Sequence, residues 1–545
     1  MNNIYLSIVF GLLFISSFSQ EVDLSWANSF GGTSGDHSQS MANDQSGNIY
    51  TTGFFNNTVD FDPSPSTYEL TSNGNSDIFV QKLDSNGNFI WAIAIGGSSS
   101  DEGYGISTDV SGNIFITGGF NLTVDFDHGP GIQNLTSNGS DDIFILKLNS
   151  NGDFLWVKSV GGTANDQGRA IVTDTSGNIY LTGYYQGEVD FNPGAGVFTL
   201  NYDNGDEAFI LKLDANGDFL WANEITDPKF AQGYAIQIDI LGNVLVTGTL
   251  SAGSVTFIKK LDENGNTLWY KTVNGESTNK GYSIITDTSS NVYVTGVYQL
   301  TTDFDPSAGI FNLTSLGYTD IFILKLNSNG DFLWVKSMGE NSSDSGEEII
   351  IDNSGYIYVT GTFEGTVDFD PSGNIFNLTS NGGRDLFIQK LDENGNFVWA
   401  TSIGGTGSEY PRGFLINTSG SLYLTGIFQN TVDFDPTGSI FNLTSNGSLD
   451  IFNIELGQTS LGLEESTLIS DVIIFPNPFQ NVINIKLRNH NEVSVKMFNV
   501  NGQLIFNENN INTKNYQFSF DGVKGFYLIE VNFQGKKQHF KLIKQ

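Results

Sequence analysis

The heptapeptide Gly112-Asn113-Ile114-Phe115-Ile116-Thr117-Gly118 decides how this chain folds. A turn-forming Gly-Asn opens it, a β-rich run fills it and Thr-Gly closes it, the composition of a short strand entered from a tight turn. Versions of it recur at Gly47–Gly53, Gly177–Gly183, Gly242–Gly248, Ser290–Gly296, Gly355–Gly361 and Gly420–Gly426. The seven tryptophans keep one phase beside it: Trp26, Trp91, Trp156, Trp221, Trp269, Trp334 and Trp399, separated by 65, 65, 65, 48, 65 and 65 residues. A third segment of Asp-Ile-Phe-Ile-x-Lys-Leu type starts at Asp77, Asp142, Glu207, Ser254, Asp320, Asp385 and Asp450. Landmarks held in phase over so long a period define a repeat architecture.

The second copy gives the content of one unit. Gly103–Thr108 alternates, Ser111-Gly112-Asn113 turns, and Ile114–Thr117 is β-rich. Ile143–Leu148 follows a long connection, Ser150–Asp153 turns, and Phe154–Val160 ends the unit. Helical periodicity is absent. Four short strands per unit, seven times over, match the blades of a propeller. We therefore expect an all-β chain with a seven-bladed β-propeller over residues 22–456. Leu24–Phe30 arrives without a preceding Asp-Ile-Phe strand, and Asp450–Leu456 arrives without a following Trp strand. These halves complete one blade together, which removes two open strand edges.

In an up-and-down blade alternate connections lie on opposite faces, so the Ser-Gly-Asn and Asn-Gly turns share one face. The Gly-Gly-Thr-x-x-Asp loops and a long insertion share the other. Six units carry the insertion, with Asp60 and Asp62, Asp125 and Asp127, Asp190, Asp303 and Asp305, Asp368 and Asp370, and Asp433 and Asp435. Asp-x-Asp sets two carboxylates on one side of an extended segment, a donor set suited to Ca²⁺. The competing reading has the Asp residues capping a turn while the intervening Phe anchors the loop. Arg169, Lys280 and Arg412 stand near the start of innermost strands where other blades have Tyr104, Tyr234 or Glu347. They are candidates for reading an anionic or sugar ligand in the central channel, against the alternative of charge balance with nearby Asp. No Ser-His-Asp arrangement, phosphate loop or metal-binding His pair is visible.

The chain has 545 residues, 60 Asp plus Glu against 24 Lys plus Arg, and a formal net charge of −36. So acidic a surface disfavours nucleic acid, and zero Cys excludes disulfides and thiolate chemistry. Ile4–Ile15 is an apolar run followed by Ser16-Ser17-Phe18-Ser19, read as a signal peptide over residues 1–19. No later run is long enough for a membrane helix. Residues 457–471 read as a linker. Residues 472–545 change character, with nine basic residues against four acidic and short strands outside the repeat period, the pattern of a small Ig-like β-sandwich.

The propeller units, with Gly-Asn-Ile-Tyr-x-Thr-Gly and Val-Asp-Phe-Asp-Pro segments, resemble the seven-bladed β-propeller repeat family of secreted bacterial proteins. The tail carries Phe475-Pro476-Asn477-Pro478-Phe479, Asn501-Gly502-Gln503, Gly525-Phe526-Tyr527-Leu528 and Lys541-Leu542-Ile543-Lys544. In these it resembles the type A C-terminal sorting domain of the bacterial type IX secretion system. That resemblance implies that Pro476, Asn477, Pro478, Gly502, Gly525, Tyr527, Lys541 and Lys544 form a sorting signal. It implies recognition by outer-membrane secretion machinery of a Gram-negative bacterium, followed by release or attachment at the cell surface. The expected function is binding or adhesion, the acidic loop face meeting an extracellular glycan or surface protein. The alternative is a lyase or hydrolase acting on extracellular polymers from the same face.

Overall fold

A computed structural model describes residues 22–225, 230–458, 472–475, 479–487, 493–499, 503–511, 513–533 and 536–544. The signal peptide and the 457–471 linker fall outside it, apart from Gly457 and Gln458, which extend the last propeller strand. The chain divides into two compact units, ending and beginning at Gln458 and Thr459.

The first unit is seven sheets, each built on four antiparallel strands. Blade 2 is typical: Glu102–Thr108, Ile114–Phe120, Asp142–Leu148 and Phe154–Val160, running from channel to rim. Every residue of Ile114–Phe120 is buried. The strand lies in the middle of a blade with neighbours on both faces, so its apolar run is continuous rather than alternating. The innermost strands contact one another in sequence and the last, Tyr410–Ile416, meets the first, His37–Asn43, which closes the ring. Closure also uses the expected pairing: Val22–Phe30 runs antiparallel to Asp450–Gln458, with Trp26 opposite Glu455 and Phe30 opposite Ile451.

The motifs have local causes. A Cβ on Gly118 would stand 1.9 Å from the Glu102 carbonyl oxygen, so the closing Thr-Gly lets the innermost strand approach. In the Asp84–Asn88 turn, Asp84 Oδ1 accepts the N–H groups of Asn86 and Asn88 at 2.8 and 2.9 Å, and Gly87 takes φ 77°. A Cβ at Gly87 would lie 2.6 Å from the Trp26 ring, so the repeated Trp clamps the Gly turn of the next blade. The repeated Lys does the same work by hydrogen bonding: Lys82 Nζ donates to Ser150 O at 2.8 Å and Lys147 Nζ to Ala215 O at 3.0 Å. These turn carboxylates are hairpin caps.

Blade 4 lacks the insertion and has a 3₁₀ turn, Ser251–Gly253, in its place. Elsewhere the insertions are hairpins. Those of blades 5 and 7 extend the sheets of the blades before them, through Asn274–Asp303 and Gly404–Asp433 pairing.

The second unit has a three-stranded sheet and a four-stranded sheet around one apolar cluster that includes Ile483, Val495, Ile529 and Leu542. Two sheets closing on a shared core form a small sandwich. Among the described residues no helix is long and apolar enough to cross a membrane.

Candidate functional site

Each innermost strand starts from the loop face and carries a β-bulge near its start. The register slips between Ser38 and Ser40, Gly103 and Gly105, Gly168 and Ala170, Gly233 and Ala235, Gly281 and Ser283, Gly346 and Glu348, and Pro411 and Gly413. The extra residues are Gln39, Tyr104, Arg169, Tyr234, Tyr282, Glu347 and Arg412, one per blade. A bulge re-aims the side chain it inserts. All seven line a central cavity of about 500 Å³, floored by residues such as Ile106, Ile171 and Ile236.

This ring corrects one expectation. Arg169 and Arg412 belong to it, but Lys280 stands two residues ahead of the blade 5 member, Tyr282, and is not among the cavity residues. Its ε-carbon packs instead beside Gly253 of the 3₁₀ turn. Sequence reading passed over Gln39, Tyr282 and Glu348. For Gln39 and Tyr282 the signal was the residue after the Ser or Gly that precedes each bulge, read at the repeat spacing; Glu348 stands one position further on.

The next ring position is small in six blades: Ser40, Gly105, Ala170, Ala235, Ser283 and Gly413. In blade 6 it is Glu348, whose Oε2 accepts from Ser283 Oγ at 2.7 Å. Burial pushes its carboxyl up to about 7, the serine bond opposing and Glu347 adding to the rise. Glu347 accepts from Ser345 Oγ at 2.6 Å. The Arg169 guanidinium lies 4.6 Å from the Tyr104 ring centroid and 5.6 Å from that of Tyr184. Tyr234 and Tyr282 meet with centroids 5.5 Å apart, and burial pushes the Tyr234 hydroxyl up to about 12. Polar groups converging in a cavity of this size make a ligand site.

The insertion carboxylates are used differently. Asp60 Oδ1 accepts the N–H groups of Asp62 and Tyr68 at 3.1 and 2.8 Å, and Asp62 Oδ1 accepts that of Ser64 at 2.9 Å. Asp125 and Asp127 repeat this with Gln133 and Gly129. Asp303, Asp305, Asp368, Asp370, Asp433 and Asp435 do so in the later blades. Phe61, Phe126, Phe191, Phe304, Phe369 and Phe434 are fully buried beneath these loops. Among the described residues no three metal-ligating side chains converge.

A second acidic ring is buried between blades. Asp77 faces Asp101, Asp142 faces Asp166, Asp320 faces Asp344, Asp385 faces Glu409 and Asp450 faces Asp36, each pair electrostatically coupled. Burial pushes Asp36, Asp101, Asp142, Asp166, Asp320 and Asp344 up to about 6 and Glu409 to about 8, with neighbouring acids adding to the rise: the paired acid for Asp36, Asp101, Asp142, Asp320 and Glu409, Asp141 for Asp166 and Glu364 for Asp344. At the junction of blades 4 and 5 an uncharged pair replaces them, Thr256 Oγ1 to Asn279 Oδ1 at 2.8 Å.

In the sandwich, Lys544 is buried. Its ammonium donates to the Gln480 and Phe520 carbonyls and to Asn481 Oδ1, and sits 5.4 Å from the Phe479 ring centroid. Tyr527 donates to the Val523 carbonyl and packs edge-on to Phe520, 4.9 Å between centroids. Gly525 opens the strand Gly525–Phe533, and Lys541 lies in the last strand, Lys536–Lys544. Pro476, Asn477, Pro478 and Gly502 fall outside the described residues.

The chain is 25% identical over 502 residues to the uncharacterized WD repeat-containing protein L264 of Acanthamoeba polyphaga mimivirus, covering 80% of this chain and 34% of that protein. It is 24% identical over 168 residues to the regulatory protein FlaEY of Caulobacter vibrioides, covering 29% and 17%. It thus spans about a third and about a sixth of these curated relatives. Among solved structures, the WD40 domain of Neurospora crassa Pan2 aligns with a TM-score of 0.38 at 10% identity, covering 78% of this chain and 89% of that one. Residues 155–184 match the family model of the beta-propeller repeat, and residues 473–545 match that of the secretion system C-terminal sorting domain. The chain therefore carries propeller repeats and ends in a sorting domain that addresses it for export.

Proposed function

We propose that this is a secreted or cell-surface protein of a Gram-negative bacterium, exported through the type IX system. Its propeller acts as a non-enzymatic binding or adhesion module for an extracellular glycan or surface protein. The observation that supports this best is the bulge ring. A scaffold that repeats its turns, clamps and insertions nearly unchanged varies the seven side chains at its channel mouth, where variation creates a specific surface. Ca²⁺ enters the proposal as a loop-ordering ion on the outer oxygens of the insertion carboxylates.

An enzymatic reading draws on Glu347 and Glu348 in the same cavity. Glycoside hydrolysis needs two carboxyl groups flanking the scissile bond from opposite sides. Here both come from one strand of one blade, and each is already engaged by a serine. Binding is the better fit.

Two experiments test the reading. A glycan and surface-protein screen with the exported chain should retain a partner; a blank screen contradicts the binding role. Deleting residues 472–545 should leave the propeller in the periplasm, and normal surface appearance of the truncated chain contradicts the export route.

A further inference from the structure

We propose that the central cavity binds an acidic sugar, a uronate-bearing saccharide whose carboxylates pair with Arg169 and Arg412 while a sugar face lies over Tyr234 and Tyr282. This rests on the binding reading above and names its ligand class.

The charge balance of the chain makes its two channel arginines exceptional. Acids outnumber bases 60 to 24, and the buried lysines are met: Lys260 by the Asp239 carboxylate at 2.9 Å, and Lys82, Lys212 and Lys325 by backbone carbonyls. The chain has four arginines, and two of them line this cavity. Among the described residues neither makes an ion pair, and the Nε atom of each is buried with no acceptor. Of the two ring glutamates, Glu347 accepts from Ser345 and Glu348 from Ser283, and among the described residues neither forms an ion pair with an arginine. Arg169 is held by the face of Tyr104 and donates to the Tyr184 hydroxyl, which steadies the guanidinium and leaves its remaining donors for a planar acceptor such as a carboxylate.

The order around the ring sets the shape of the ligand. Blades 3 to 7 contribute Arg169, Tyr234, Tyr282, Glu347 with Glu348, and Arg412, an arc with a cation at each end. The two arginines stand on blades 3 and 7, three blades apart by the shorter way round the ring, which suits a ligand with polar groups at separate points. The paired tyrosines between them offer an aromatic wall for the C–H face of a sugar ring. The glutamates offer hydrogen bonds to hydroxyls, and Glu348, pushed up to about 7, holds a proton to donate in mildly acidic conditions. A cavity of about 500 Å³ takes one or two sugar rings. A neutral sugar would leave both arginines unmet; a bare carboxylate would leave the tyrosines and glutamates idle.

Calorimetric titration of the full chain with trigalacturonate, sodium D-glucuronate, D-galactose and sodium acetate tests this. The uronates should bind at least about tenfold more tightly than galactose or acetate. Arg169→Gln and Arg412→Gln should each weaken uronate binding about tenfold or more, while Arg384→Gln, outside the cavity, leaves it unchanged. Acetate binding as well as the uronates, galactose binding equally, or no uronate binding overturns the proposal. The comparison of ligands on the unaltered chain decides the matter even where a variant melts early. Absence of uronate binding with a partner still retained in the screen overturns this inference alone, and the binding reading stands.

Discussion

Lys544 shows how far a single residue departs from its sequence appearance. A charged residue next to the C-terminus reads as an exposed recognition element, yet its ammonium is buried and satisfies two carbonyls and an amide oxygen. Replacing it by Met keeps the aliphatic stem and strands those acceptors. Lys544→Met should cost the sandwich about 1–3 kcal/mol in denaturant unfolding; an unchanged midpoint would contradict the structural role. Tyr527, tied to Val523, buttresses the same corner through Phe520 and Phe479. Lys280 is the converse case. It resembles Arg169 in being basic and next to a glycine that recurs in the repeat, but Lys280 precedes its glycine and Arg169 follows its own. The bulge makes that difference decisive, since only the residue inserted after the slip is re-aimed into the channel.

At the scale of elements, strands and turns were legible and side-chain duties were partly so. Three of the four strands of blade 2 lie within one residue of their expected ends, and the strand from Ile114 runs three residues further, to Phe120, because its buried interior continues through Gly118-Gly119. The Phe of each Asp-x-Asp insertion was legible as an anchor, and Phe126 packs 5.4 Å from Phe120 and 5.3 Å from Phe144. Whether a carboxylate pair holds an ion or a turn depends on where its oxygens point, which spacing alone does not encode. Here one oxygen of each first Asp accepts two backbone N–H groups, which leaves the outer oxygens for Ca²⁺. On the proposal, a chelator should lower the melting temperature by a few degrees, about what 1 kcal/mol gives in a domain of this size, and added Ca²⁺ should restore it. A melting curve indifferent to both removes Ca²⁺ from the account.

Across the whole molecule the carboxyl groups divide into two populations with opposite pH signatures. Burial pushes inter-blade acids such as Asp101, Asp166 and Asp344 up to about 6 and Glu409 to about 8, against about 4 in an unfolded chain, and raises Asp77 and Asp450 in the same direction. The folded state therefore holds protons that the unfolded state has released, and this stabilisation is full below about pH 4 and lost as pH rises through 6 to 8. Turn acids such as Asp44 and Asp84 are pulled down by hydrogen bonds from their asparagines, and their contribution is lost only as pH falls below about 4. Maximum stability belongs near pH 4, and pH 5 still keeps much of it. A thermal scan should give a melting temperature at least about 5 °C higher at pH 5 than at pH 8, with the gap narrowed in the Asp101→Asn, Asp344→Asn double variant; a flat profile would contradict the burial of these pairs. The net charge of −36 locates the chain's acidity without revealing this division, because the pairing arises only when the ring closes.

On the proposed reading the varied channel mouth, and not the repeated acidic loops, selects the partner. Retention of the Arg169→Gln, Arg412→Gln double variant on the surface-derived glycans and proteins that hold the unaltered chain tests it most directly, with Arg384→Gln alongside. The double variant should be lost and Arg384→Gln should be held. Equal retention of all three, with unchanged melting, would place recognition elsewhere on the propeller and contradict it.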